Sequence, residues 1–167
     1  MKIESDAVKK ESPPEVLALQ LPFGLIGLRH LTCFELEPAE PGIAFQILRA
    51  QSEPPMEFVV MEPAGWVDDY KIVLRDEDVE SLRITSPEDV LVLNIVAVHS
   101  HEPQYVTVNL VGPVIINRST LIGQQVIIAN SGDFSIEHVL VDQRPGAGAA
   151  QAATSPDSAS HGGAELP

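Results

Sequence analysis

The chain has 167 residues, 44% of them apolar, and 24 acidic against 10 basic side chains, a formal net charge of −14 with the histidines neutral. Length and positive mean hydropathy suit one folded domain with a sizeable core. The acidity excludes direct nucleic-acid binding, because affinity for phosphate backbones rests on lysine and arginine, and residues 16–143 alone carry 6 − 18 = −12. A basic protein partner suits this balance, although solubility alone also accounts for it.

The apolar runs are far shorter than the roughly 18 residues of a membrane span, and Met1-Lys2-Ile3-Glu4-Ser5-Asp6 lacks the apolar stretch of a signal peptide. A cytoplasmic protein without membrane contact is expected. The single cysteine, Cys33, rules out an intramolecular disulfide and a cysteine-built zinc site, and is expected as a small buried apolar residue.

In chain order, residues 1–15 are charged and end in Ser12-Pro13-Pro14, which predicts a flexible leader. The folded domain is expected over 16–143. Short strands are predicted at Val16–Leu21, Leu31–Leu36, Ile43–Leu48, Glu57–Glu62 and Tyr70–Leu74, set apart by Pro, Gly or acidic turns. Asp76–Leu82 follows as a short helix, with acids in its first turn and Val79 and Leu82 on one face. Ser86-Pro87-Glu88-Asp89 predicts a single capped turn.

Further strands are predicted at Leu91–Val98, Tyr105–Leu110, Val114–Ile116, Gln125–Ala129 and Ile136–Val141. Val106, Val108 and Leu110 alternate with Thr107 and Asn109, and Gly112-Pro113 interrupts the ladder. Residues 144–167 hold no large apolar side chain before Leu166 and are expected to be a disordered low-complexity tail. Many short strands at this spacing predict a mainly β fold, a compact antiparallel β-barrel with one or two short helices.

His99-Ser100-His101 is the one histidine string, and in a regular strand its two rings would share a face and could share a metal. No further ligand motif accompanies it, and Glu102-Pro103 points to an exposed hairpin loop, so no metal site is expected. A small β-barrel enzyme using His99 and His101 is the rival functional class. Asn117-Arg118-Ser119 matches a glycosylation acceptor but reads as a turn. Gly24, Gly27 and Gly123 lack the strand-to-helix setting of phosphate-binding loops, so no cofactor is expected either. Two acidic groups, Asp68-Asp69 and Asp76-Glu77-Asp78, flank Tyr70–Leu74 and could form one negative rim for a basic partner.

With Val108-Asn109-Leu110, Pro113, Asn117 and Gly123-Gln124-Gln125-Val126 assembled, the chain resembles the flagellar assembly factor FliW family. Leu21-Pro22-Phe23-Gly24-Leu25-Ile26-Gly27-Leu28 is similar to the family's Gly-Leu-Pro-Gly-Phe segment, with Ile26 and Leu28 where proline and phenylalanine are usual. Gln51-Ser52, Phe58–Pro63, Asp69-Tyr70 and Asp133-Phe134-Ser135 follow in family order, with Ala50 in place of a leucine. The resemblance covers residues 16–141.

The resemblance implies a compact β-barrel that binds without catalysis. It implies two partners: the basic carbon storage regulator CsrA, kept from repressing flagellin translation, and flagellin itself, which competes for the factor. A monomer is expected when neither is bound. Asn109, Asn117 and Gln124 match the family signature and are candidate contacts, although strand amides often serve neighbouring backbone groups. Asp68, Asp69, Asp76, Glu77 and Asp78 are the candidate regulator-facing acids, chosen from charge, and an exposed Tyr70 is the candidate aromatic anchor.

Overall fold

The alternation seen in the sequence produces short antiparallel strands with one apolar face: Leu19 in β2 (Leu17–Gln20), Phe34 and Leu36 in β3 (Cys33–Glu37), Leu48 and Ala50 in β4 (Phe45–Ala50) all point inward. The computed structural model describes residues 1–4, 15–38 and 43–147. Residues 5–14 of the expected leader and 148–167 of the expected tail lie outside the described residues.

The remaining strands are β1 (Lys2–Glu4), β5 (Met56–Met61), β6 (Lys71–Val73), β7 (Val90–His101), β8 (Gln104–Val108), β9 (Val114–Asn117), β10 (Gly123–Gln125) and β11 (His138–Asp142). One short α-helix, α1 (Asp76–Ser81), follows β6, and single 3-10 turns occupy Pro87–Asp89 and Ser131–Asp133. Neighbours pair antiparallel in the order β10-β9-β7-β5-β4-β3-β2, with β8 and β11 continuing from the far half of β7 and β1 pairing with β6.

The mainly β antiparallel architecture follows expectation, but among the described residues no ladder closes the barrel. The two ends of the main path meet only at an isolated parallel bridge, Gln20 with Ile122, and one backbone bond from Gln20 N–H to Leu121 O at 3.0 Å. The ends are short: β10 spans Gly123–Gln125, two residues before the predicted start, and the ladder does not continue through Ala129. Pro113, opposite Val126, accepts from its N–H at 3.0 Å but has no N–H to return, so regular pairing stops there.

The Val-Ile-Ile run of β9 is buried on both faces because this part of the sheet separates two apolar clusters. Val114 and Ile116 join Leu19, Phe34, Leu48 and Leu93 on one side, whereas Ile115 joins Met61, Ile72, Val108 and Ile128 on the other. Asn94, fully buried on β7, lies in the same layer.

Three local expectations change. Lys2–Glu4 is not loose leader: it pairs with β6 in the register Ile3↔Ile72, and Ile3 is buried. Cys33 is half-buried beside Gln20 rather than buried. β7 runs to His101, three residues beyond its predicted end, because β8 folds back on it as a hairpin through Glu102-Pro103. Arg144, one residue past the expected domain edge, lies 3.6 Å over the Tyr105 ring and pairs with Asp142 at 2.6 Å. That guanidinium holds the Asp142 carboxyl below its ordinary range.

Candidate functional site

The apolar octapeptide Leu21–Leu28 cannot bury all of its side chains, because its two glycines turn the chain twice within it. Gly24 sits at φ +63 and Gly27 at φ +84, in the left-handed region open to glycine. Gly24 N–H donates to Leu21 O and Leu28 N–H to Leu25 O, both at 2.8 Å. Leu21 and Leu25 anchor the loop in the core, so Phe23 and Ile26 face outward at 63% and 60% exposure.

This loop borders a groove of about 300 Å³ whose other walls are the end of α1 and the β9–β10 hairpin, with Leu82, Arg83, Ile122 and Gln124 among its lining. Asn117 ties two of these walls together. The Asn117 amide donates to Leu82 O at 3.0 Å and Arg83 O at 3.2 Å, and its Oδ1 accepts from Ser119 N–H at 2.9 Å and Thr120 N–H at 3.3 Å. One buried side chain therefore fixes both the exit of α1 and the hairpin turn. Arg83 at φ +52 and Leu121 at φ +57 hold the left-handed conformations this arrangement needs, although neither is a glycine.

A second chain of hydrogen bonds holds the Phe23–Ile26 loop to the core. Tyr70 O–H donates to Leu110 O at 2.6 Å and accepts from Asn94 Nδ2 at 3.0 Å, and the same Asn94 amide donates to Asn109 O at 2.8 Å. Asn109 Oδ1 accepts from Val111 and Gly112 N–H, both at 3.0 Å, which ends β8. Gln125 Nε2 then donates to Gly112 O at 3.0 Å while its Oε1 accepts from Ile26 N–H at 2.9 Å.

The expected site residues thus separate by role. Asn109 and Asn117 are positioning groups beneath the surface, whereas Gln124 lines the groove and accepts from Ser81 Oγ at 3.4 Å. Tyr70 is not an exposed anchor. It is 2% exposed, its ring meets Phe134 edge-on at 4.9 Å, and burial pushes its hydroxyl up to about 12 while the Asn94 bond opposes the shift. The family-like Asp-Tyr pair carries its tyrosine inward because β6 follows at once, with Ile72 buried beside it.

The acidic groups also part. Asp68 and Asp69 line an open cleft of about 880 Å³ together with Glu4, Asp133, Lys2 and Lys71, so two lysines, one of them paired with Glu4 at 3.7 Å, stand among four acids there. Asp76, Glu77 and Asp78 do not line that cleft; they form the first turn of α1. Burial raises the Asp78 carboxyl above its ordinary range and Glu77 adds to the rise, against Arg75.

His99 and His101 do not share a metal-ready face. The register shifts between Val98 and Ser100, which breaks the i, i+2 alternation. His99 stacks on Tyr105 at 4.8 Å and its Nε2 bonds Thr107 Oγ1 at 2.8 Å. Among the described residues no three His, Cys, Asp or Glu side chains are grouped to hold a metal, and no helix is long and apolar enough to cross a membrane.

The family profile described as FliW protein matches residues 2–140. The chain is 38% identical over 117 residues to the flagellar assembly factor FliW of Clostridium novyi, covering 70% of this chain and 80% of that protein. It is 30% identical over 140 residues to that of Leptospira interrogans, covering 84% and 93%. The chain belongs to the FliW family.

A crystal structure of a flagellar assembly factor FliW superposes with a TM-score of 0.67 at 27% identity, covering 85% of this chain and 98% of that one. The mainly β fold is therefore the FliW fold. Phe23, Ile26, Arg83 and Ile122 were absent from the residues chosen on charge and signature. The signal for the first two was an apolar run punctuated by Gly24 and Gly27, which forces part of it outward.

Proposed function

We propose that this FliW-family chain acts by binding proteins and catalyses no reaction: in the cytoplasm it holds CsrA, releasing flagellin translation from repression, and it holds flagellin, which competes with the regulator. The observation that carries this reading is the family match over residues 2–140. Two features support it. Asp76 and Glu77 stand exposed on α1, where a basic protein would relieve their crowding with Asp78 and gain a faster encounter. The amides of Asn117 and Gln125 behind the groove are engaged with backbone groups, which suits a rigid binding surface better than a site for proton transfer.

Calorimetry of the full chain with the host regulator, alone and with flagellin already bound, tests the proposal. Saturable binding that flagellin abolishes is the expected result. Flagellin binding without regulator binding would leave a chaperone only. Silence toward both would refute the reading and return attention to His99 and His101.

A further inference from the structure

We infer that the groove between the Leu21–Leu28 loop, the end of α1 and the β9–β10 hairpin is a docking site for an acidic, apolar-faced segment of a protein partner, held by Phe23 and Ile122 as apolar contacts and Arg83 as the cation. This deepens the protein-binding reading above and rests on it. The groove also selects a partner opposite in charge to the one suited to the acids of α1.

Three observations carry the inference. The first is the apolar surface: Phe23 and Ile122 line the groove at 63% and 38% exposure, and Ile26, 60% exposed, stands on the same loop as Phe23. Exposed apolar side chains clustered around a concavity and rimmed by polar groups mark an interaction surface.

The second is charge. In a chain of net charge −14, the one charged side chain lining this groove among the described residues is Arg83. Among the described residues Arg83, like Arg29 and Arg75, forms no ion pair, whereas Arg49, Arg118 and Arg144 each hold a carboxylate. An unpaired cation beside apolar side chains complements a carboxylate beside apolar side chains, and the fork of a guanidinium suits that carboxylate geometrically.

The third is strain. Arg83 occupies, at φ +52, the position after the helix end that glycine or asparagine ordinarily fills, and Asn117 holds its carbonyl there at 3.2 Å. Such conformations persist where the surroundings enforce them and gather at functional sites. An arginine kept where glycine would relax the backbone is accounted for by its side chain.

The test uses three synthetic amphipathic helices that share one leucine face and carry glutamate, glutamine or lysine on its flank. Each is titrated into the full chain by fluorescence anisotropy at about 0.15 M salt, where a Debye length of about 8 Å screens the distant carboxylates. The expected order of affinity is glutamate, glutamine, lysine, spanning roughly tenfold or more, and Phe23→Ala weakens binding of the glutamate helix about tenfold. Arg83→Glu reverses the order.

Arg83→Gly guards against a folding artefact: it should melt higher than the natural chain and still lose the preference for glutamate. A merely structural Arg83 would leave the order unchanged in that variant. Equal or lysine-favoured binding by the natural chain, an unchanged order in Arg83→Gly, or no binding at all overturns the inference. Measuring CsrA and flagellin in the same buffer separates the two claims. If those proteins bind and Phe23→Ala and Arg83→Gly leave both affinities unchanged, the groove is not a docking site while the functional reading stands.

Discussion

Replacing Asn117 by alanine should be among the costliest single truncations of a polar side chain in this protein. Asn117 is 4% exposed and its amide makes four hydrogen bonds to backbone groups, at 2.9, 3.0, 3.2 and 3.3 Å. At about 1 kcal/mol net for each of the two shorter bonds and about half that for the longer pair, the bonds contribute roughly 3 kcal/mol. The buried Leu82 carbonyl, left without that donor, carries its own desolvation cost. With a urea slope of about 1.5 kcal/mol/M, the midpoint should fall by roughly 2 M with the slope unchanged.

Asn117→Asp sharpens the test. It preserves the acceptor for Ser119 and Thr120 but turns a carboxylate oxygen toward the carbonyls of Leu82 and Arg83, so at neutral pH it should destabilise at least as much as alanine. Equilibrium unfolding followed by far-UV circular dichroism reads both variants. A loss below about 1 kcal/mol for Asn117→Ala would refute the claim that this side chain ties α1 to the hairpin.

Tyr70→Phe removes the donor to Leu110 O and the acceptor for Asn94, and should cost about 1–3 kcal/mol near neutrality. Because burial pushes the folded hydroxyl up to about 12, against an ordinary value of 10.0, the folded chain keeps a proton there that the unfolded chain has lost. The natural chain therefore loses roughly 2–3 kcal/mol from this group as pH rises through that window, and the phenylalanine variant does not. Urea titrations at about pH 8 and about pH 11 should show the gap between the two narrowing, and a constant gap would count against the buried hydroxyl. Gly24→Ala places a Cβ 2.5 Å from Leu28 O and 2.7 Å from Arg29 Cα, so it should cost about 2 kcal/mol or more, whereas Gly27→Ala meets nothing within 4 Å and bears only its φ of +84. Thermal melts should separate these variants by several degrees, and equal melting points would remove the case for a rigid loop. Reversing Asp76, Glu77 and Asp78 to lysine should weaken CsrA binding and flatten its dependence on salt, while His99→Ala with His101→Ala should leave it intact. Calorimetry at two ionic strengths checks both.

The linear sequence was enough for most of the strands between residues 16 and 141, the mainly β class, the short helix after Asp76 and the hairpin at Glu102-Pro103, because period-two alternation and turn residues are local signals carried within a few residues; it did not show β1 or the early end of β10. Its ordered motifs were also enough for the family, since Asn109, Pro113, Asn117 and the Gly123–Val126 run keep their spacing whatever they touch. Which way Tyr70 points was not decided locally. An Asp-Asp-Tyr stretch reads as surface, yet Asn94 and Leu110, far along the chain, supply the polar partners that let its hydroxyl be buried. Tertiary structure likewise left the barrel unclosed by a ladder, set Asp68-Asp69 apart from the acids of α1, and gave β9 two cores instead of one. It also brought Phe23, Arg83 and Ile122 to one groove, although they lie on three separated segments. The reason is the same in each case: alternation fixes which residues share a face of one strand, but only the packing of distant elements decides what that face meets.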